Sequence, residues 1–404
     1  MKSFDKGQSR RDALKSMLGA GVVAATQSIP SLARAAEPVR IGYSIARTGY
    51  LGIASPVANQ AYELWREELN AQGGLEIAGQ GRRPIEFVVY DDQSEPVKAT
   101  EAYERLITRD QVDLVLAPYG TPFHIAVAPI VERYKIPLIG NTCSSTLLRD
   151  LKAQYMWFSS TLTDAWAKAI SDFLNAQAVT STAMLTLQLP ASLEIKKYMS
   201  PMLKQHNIAA PVDVEYSLSL SDMTGMVASI KSADPQAMIG LSYPGDSVLY
   251  VNAAREAGLQ VPIQLLLVGP SSPFFLQKFG AAVEGMLTIG QWSPKQTRWH
   301  GAKAFFDAYL GRWKEPPDYL DSSQCYVSCQ ILQQAVATAG LDRERIKETI
   351  STTTFDTIMG PVHFNGPVND TTVAGLMQIQ DGILEIIWPQ EIATAPFKPK
   401  KGWG

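Results

Sequence analysis

Residues 112–145 read VDLVLAPYGTPFHIAVAPIVERYKIPLIGNTCSS, and their pattern selects the fold. Val112 to Ala117 and Ile136 to Ile139 are continuous apolar runs, as parallel strands buried on both faces must be. Phe123 to Tyr134 reads as the helix between them. Loops rich in Gly, Pro and small hydroxyl residues (118–122 and 140–145) close the two strands. In a doubly wound sheet the loops at strand carboxyl ends line the crevice in which ligands bind. Hydroxyls beside a helix N-terminus with free N–H groups suit a carboxylate. Taken alone, such loops are equally explained as simple turns.

The pattern extends in both directions. Upstream, Val39 to Ser44 reads as a strand, followed by a loop holding Arg47-Thr48-Gly49-Tyr50 and a helix to about Gln72 that Gly73-Gly74 ends. Ile85 to Tyr90 is the next strand, and Asp91-Asp92 end it and help to cap the helix that follows. Downstream, Ala183 to Leu187, Val212 to Tyr216, Ala237 to Leu241 and Ile263 to Val268 are strands of a second unit. Helices between them include Leu193 to His206 and Ser247 to Ala257. Its loops carry Gln188, then Tyr243 and Asp246, then Ser271 and Ser272. Alternating strands and helices with short connections predict parallel sheets with right-handed crossovers, here as two lobes facing one cleft. Beyond residue 300, a long apolar helix from about Asp321 to Ala339 and a hairpin (Ala374 to Gln380, Ile383 to Trp388) complete the two lobes. The Pro- and Lys-rich end, 396–404, is expected to be a loose tail.

Length and charge narrow the function. A chain of 404 residues exceeds a single core, and a formal charge of −3 leaves no electrostatic footprint for nucleic acid. Residues 1–36 read as an export signal, with Arg10-Arg11, an apolar run from Met17 to Ala25 and Ala33-Arg34-Ala35 as cleavage pattern. The paired arginines match a twin-arginine signal. Ala13 stands where that signal usually has a bulky apolar residue, so general secretion stays open. Removing residues 1–35 takes six basic and two acidic side chains, leaving a net charge of −7 on an acidic protein expected outside the cytoplasm. Three cysteines do not make a disulfide framework; Cys325 and Cys329, one turn apart on an apolar helix, read as buried thiols.

Catalytic signatures are missing. The four histidines have no metal-ligand spacing. There is no nucleophile elbow and no phosphate-cradling loop. Asp91 and Asp92, adjacent on a strand, point to opposite faces and cannot work as an acid/base pair. No enzyme, metal or cofactor is predicted. Trp292, close to an expected lobe crossing, is the tryptophan placed to touch a ligand.

Several segments resemble the leucine/isoleucine/valine-binding type of periplasmic solute-binding protein, which serves ABC importers. They include Val39-Arg40-Ile41-Gly42-Tyr43, Leu69-Asn70-Ala71-Gln72-Gly73-Gly74, Val89-Tyr90-Asp91-Asp92, Ile136-Pro137-Leu138-Ile139, Ala253-Ala254-Arg255-Glu256-Ala257-Gly258-Leu259 and Met359-Gly360-Pro361-Val362-His363-Phe364. They span nearly the whole mature chain in the family's order.

The resemblance implies two doubly wound α/β lobes joined by a three-segment hinge, crossing near Ser159-Ser160, Gln291 and Phe355. Lobe one would comprise 37–159 and 292–354, and lobe two 160–291 and 355–395. It implies a receptor that delivers a small ligand to ABC permease subunits, with a ligand-sensing regulatory module as the other class. Where such proteins bind α-amino acids, Thr121, Thr142, Cys143 and Ser144 match the positions that hold the carboxylate and ammonium, and Tyr243 matches a lobe-two aromatic. The family's ammonium-pairing acid falls at Ser271 and a helix-start tyrosine near Ala191, so both are missing here. Either Asp246 replaces that acid, or the ligand is an aromatic or aliphatic carboxylate without an ammonium group. Asp246 also fits a helix cap. Tyr50 and Gln188, on strand-end loops, complete the candidate ligand set.

Overall fold

The computed structural model describes residues 37–403, so the export signal lies outside the described residues. In the first lobe, Ile85–Asp91, Val39–Ile45 and Leu114–Val115 pair in that order, all parallel. A neighbouring sheet pairs Leu138–Gly140 in parallel with Met156–Phe158. The apolar run from 112 to 117 shows why these strands need no polar face. Leu114 and Leu116 enter one core with Ile139 and Trp157, under the helices Pro56–Ala71 and Asp321–Ala339. Val115 and Ala117 enter the opposite core with Leu138 and Met156, against the helices Pro96–Thr108 and Thr121–Tyr134. Successive side chains point to opposite faces, and helices cover both. The ladder records two residues of that run, while Asp113 N and Leu116 N extend its bonding to Arg40 O and Gly42 O at 2.8 and 3.0 Å.

The second lobe is built on one seven-stranded sheet. Its order is Ile383–Trp388, Leu376–Gln380, Leu287–Ile289, Ile263–Leu266, Ala237–Leu241, Ser181–Leu187 and Ala209–Tyr216. The last five strands are parallel, and the C-terminal hairpin joins antiparallel through Leu287–Ile289. The hairpin turns on Asp381 and Gly382, both at positive φ (55° and 75°), the geometry that matches strand twist in a two-residue turn.

Two expectations are corrected. The third crossing does not fall near Phe355. Phe355–Thr357 pairs with Gly360–Val362 against the helix Asp321–Ala339, where Gln330 and Gln334 bond the backbone of Ile358 and Asp356. Val368 then pairs with Phe158 in the first lobe's sheet. The chain stays with that lobe to Asn369 and crosses at 370–375. The three crossings lie side by side: Asn369 Nδ2 donates to Ser159 O at 2.9 Å, and Gly375 has room for no Cβ because Gly290 O would lie 2.6 Å away.

The end of the chain is likewise not loose. Lys400 N donates to Pro262 O, and its buried ammonium donates to Ala282 O and Glu284 O at 2.8 and 3.1 Å. Trp403 Nε1 donates to Leu259 O at 2.7 Å, and the side-chain amides of Gln378 and Gln380 hold Lys398 O and Pro396 O. These specific bonds outweigh the Pro/Lys composition. All three cysteines are free and buried.

Candidate ligand-binding cleft

The loops that close Leu114–Val115 and Leu138–Gly140 are stitched to each other. Thr142 Oγ1 accepts from Gly120 N at 2.9 Å, and Thr121 Oγ1 accepts from Ser144 N at 3.1 Å. His124, fully buried, bridges the same loops. Its Nδ1 lies 2.8 Å from Gly120 O and its Nε2 accepts from Asn141 N at 3.3 Å, which assigns the proton to Nδ1. Burial lowers the imidazole to about 4, so it is neutral at physiological pH. Asn141 Nδ2 reaches Tyr62 OH at 2.6 Å and Ser328 Oγ at 2.9 Å, pinning the second loop to both covering helices. Gly140 is required where the loop begins, since a Cβ would come within 2.8 Å of the His124 ring.

The Cys143 side chain turns away from the loop surface. Its side chain is buried in the first lobe's core, with Sγ 3.9 Å from Ser160 Oγ, and burial pushes the thiol well above its usual range. Ser144 is half-buried, and its carbonyl accepts from Thr163 N at the first crossing.

Tyr50 stands exposed on the loop after the first strand. Asp91 and Asp92 organise that loop instead of capping the next helix. Asp91 accepts from Arg47 N and Thr48 Oγ1 at 2.9 and 2.8 Å, and Asp92 from Ser44 Oγ and Ser94 N at 2.9 and 3.1 Å. Gln188 is exposed at the rim of the second lobe, its N–H bound to Tyr216 O.

Across the cleft, Asp246 occupies the third position of the helix Pro244–Glu256 and accepts from Tyr243 N at 2.9 Å, half of a capping box. Its other oxygen accepts from the Tyr216 hydroxyl. Both carboxylate oxygens are engaged inside the second lobe. Tyr243 itself is pushed up to about 12, first by burial and then by the negative charge of Asp321, Tyr50 and Asp246.

Two further acids at this seam come from a segment that local pattern did not flag. Asp321 Oδ2 accepts from the Tyr119 hydroxyl at 2.5 Å. Asp318 Oδ1 accepts from Leu320 N and Asp321 N at 2.9 and 2.8 Å, while its Oδ2 faces Ser271 Oγ at 3.4 Å. Tyr319 N donates to Ser271 O at 3.1 Å, so this segment ties the first lobe's long helix to the second lobe's loop. Ser271, at the position of the acid that the resembled family carries and this chain lacks, therefore sits against an acid from another part of the chain. Burial, then repulsion from Asp321, raises Asp318 to about 7, and burial raises Asp321 as well. No Lys, Arg or His among the described residues forms an ion pair with either. Trp292 is fully buried against Phe305 and Tyr319, its ring 5.4 Å from each, so it packs the hinge.

Eight residues carry a buried side-chain N or O without a hydrogen-bond partner in the described protein. Six of them (Thr161, Thr163, Thr186, Ser192, Gln291 and Trp292) lie on the crossings or where a second-lobe strand passes into its helix. Native interiors satisfy nearly all such groups, and here they cluster along the seam between the lobes.

A family model described as periplasmic binding protein matches residues 38–381. The chain belongs to that family. This periplasmic binding protein is 21% identical over 388 residues to Leu/Ile/Val-binding protein homolog 7 of Brucella suis biovar 1 (strain 1330), covering 91% of this chain and 95% of the relative. It superposes on the substrate-binding protein LivJ of a Streptococcus pneumoniae branched-chain amino acid transporter, in complex with isoleucine. The TM-score is 0.75 at 22% identity, over 87% of this chain and 100% of the other. A solute-binding protein from R. palustris in complex with benzoate matches with TM-score 0.74 at 19% identity, over 91% and 99% of the two chains. These neighbours share the two-lobed fold, and the family consists of solute-binding proteins. Among the described residues no helix is long and apolar enough to cross a membrane.

Proposed function

We propose that this chain is the extracytoplasmic substrate-binding component of an ABC import system, closing on an amino acid or a related small carboxylate that also carries a cationic group. Asp321, with Asp318 beside it, carries the proposal: two buried acids at the lobe seam with no basic partner among the described residues. A buried charge needs an opposite charge or it neutralises, and a ligand ammonium supplies one. The stitched loops around Thr121, Thr142 and Ser144, at the N-terminus of the helix Thr121–Tyr134, suit the carboxylate end. Tyr50 and Tyr243 would flank the ligand, with Gln188 at the rim. Permease subunits in the inner membrane are the implied partners, and Arg10-Arg11 supports twin-arginine export to the periplasm.

A second proposal, an aromatic carboxylate without ammonium, draws support from Tyr119 and Tyr243 at the seam and from the neighbour solved with benzoate. With Asp318 and Asp321 protonated, the site would tolerate such a neutral body.

A thermal-shift screen of the α-amino acids and of benzoate-type acids separates the two. A ligand present at 100 times its dissociation constant stabilises the folded state by about 2.7 kcal/mol. A shift with amino acids supports the first proposal and a shift confined to aromatic acids supports the second. No shift with any compound would overturn both.

A further inference from the structure

We propose that Thr146, Glu194 and Tyr198 form a latch that holds the two lobes closed and biases the hinge without touching ligand. The short helical turn Thr146–Leu151 belongs to the first lobe, whose core takes Leu148 alongside Val127, Leu138 and Met156. The helix Pro190–Gln205 belongs to the second, anchored by Ile195, Met199 and Leu203. Between them, Thr146 N donates to Glu194 Oε1 at 3.1 Å, and the Thr146 hydroxyl donates to the same oxygen. The Tyr198 hydroxyl then donates to Thr146 Oγ1 at 3.0 Å. Alongside, Arg149 makes a bidentate pair with Asp164 at 2.6 and 3.2 Å, again from one lobe to the other.

Two features separate this contact from incidental packing. The side-chain hydrogen bonds of Glu194 among the described residues both go to Thr146, on the opposite lobe, so its carboxylate is satisfied in this way only when the lobes meet. Thr146 also follows directly on the loop 141–145, so the latch grips the polypeptide that forms one wall of the cleft. A receptor whose binding-competent state is a fraction of the population has its affinity lowered by that fraction. Strengthening or weakening the latch therefore tunes affinity for whatever the cleft accepts, while leaving the preference among ligands unchanged. Losing hydrogen bonds to a charged acceptor should shift the closed-to-open ratio about tenfold.

The test uses the full mature chain, stripped of ligand, with spin labels on Asp150→Cys and Lys204→Cys. Both positions are exposed, on opposite lobes, and the native cysteines are buried. Distance distributions by double electron–electron resonance should show a short-distance, closed population in the otherwise unaltered protein. Glu194→Ala should cut the closed-to-open ratio about tenfold. Thr146→Val, which keeps the backbone bond, should cut it less, and Glu194→Gln, which keeps an acceptor oxygen, should restore most of it. Circular dichroism melts check that each variant is folded. An identical distribution in Glu194→Ala, or a ligand-free protein that is entirely open before any latch substitution, overturns the latch. Because no ligand enters the measurement, its result stands apart from the outcome of the ligand screen.

Discussion

The two sides of the cleft are built on different principles. On the first lobe, the loops around Thr121 and Thr142 are cross-bonded to each other, bridged by a neutral His124 and pinned by Asn141 to two helices. On the second, Ser271 Oγ donates to Val268 O at 2.7 Å, Tyr243 N donates to Asp246, and Asp246 is spent on its own helix start. What meets them is the segment 318–321, carried over by the first lobe's long helix. One wall is a cross-bonded cradle, and the other meets buried acids supplied by an element of the first lobe. A preorganised donor set loses little on binding, whereas acids brought in by another element can change ligand class without disturbing the cradle.

The sharpest way to break this comparison is Asp321→Asn. It should weaken a ligand bearing an ammonium by about 2–5 kcal/mol and leave a benzoate-type acid almost unaffected. Isothermal titration with ligands from both classes checks it, and equal losses in both would remove Asp321 from recognition. The same reasoning gives a pH dependence. Asp318, raised to about 7, is partly protonated near neutrality, and a cationic ligand favours its ionised form. Affinity for such a ligand should therefore rise as pH increases through about 7, whereas a ligand without a cation should lack this gain.

The cradle makes a prediction of its own. His124 is lowered from 6.5 to about 4 by burial, so the unfolded chain takes up a proton at a higher pH than the folded one does. Its contribution to stability is complete above pH 6.5 and is lost as pH falls to about 4, on the order of 3 kcal/mol. Urea midpoints between pH 7 and 4 should show this slope in the native protein and a flatter one in His124→Gln; parallel slopes would remove His124 as the source.

A smaller effect distinguishes brace from ligand contact on the second lobe. Asp246→Ala should lower folding stability by about 1–3 kcal/mol, since Tyr216 and Tyr243 N lose an acceptor, with little change in affinity for an amino acid. A large affinity loss at unchanged stability would return Asp246 to the role of ammonium partner. Least of all, Thr121→Ala should cost about 1 kcal/mol of stability, and the same substitution made together with Thr142→Ala should cost less than the sum, because both stitch one pair of loops. Strict additivity in denaturant titrations would mean that the loops are independent.

Much of the architecture was legible in the chain itself. Continuous apolar runs such as 112–117 declare a strand buried on both faces, and the alternation of Leu114 and Val115 between two cores is the physical content of that pattern. The turn at Asp381-Gly382 and the long helix from Asp321 were equally local in their signals. Segments of two or three residues were not. Phe364–Asn365 and Val368–Asn369 are too short to show a period, so the third crossing came out near Phe355 when pairing with Phe158 carries it to 370–375. The Pro- and Lys-rich end concealed Lys400 and Trp403, whose partners lie more than a hundred residues away.

Composition, periodicity and family resemblance determined that this chain is a two-lobed α/β periplasmic binding protein with hydroxyl-bearing loops at its strand ends, because those properties depend on neighbours along the chain. Only tertiary structure decided that Cys143 turns inward, that His124 holds the cradle, and that Asp318 and Asp321 come to face Ser271 and Tyr119. Those residues are separated by 47 and 202 positions in sequence. Charge compensation and burial are properties of what surrounds a group in space, and no local pattern encodes them.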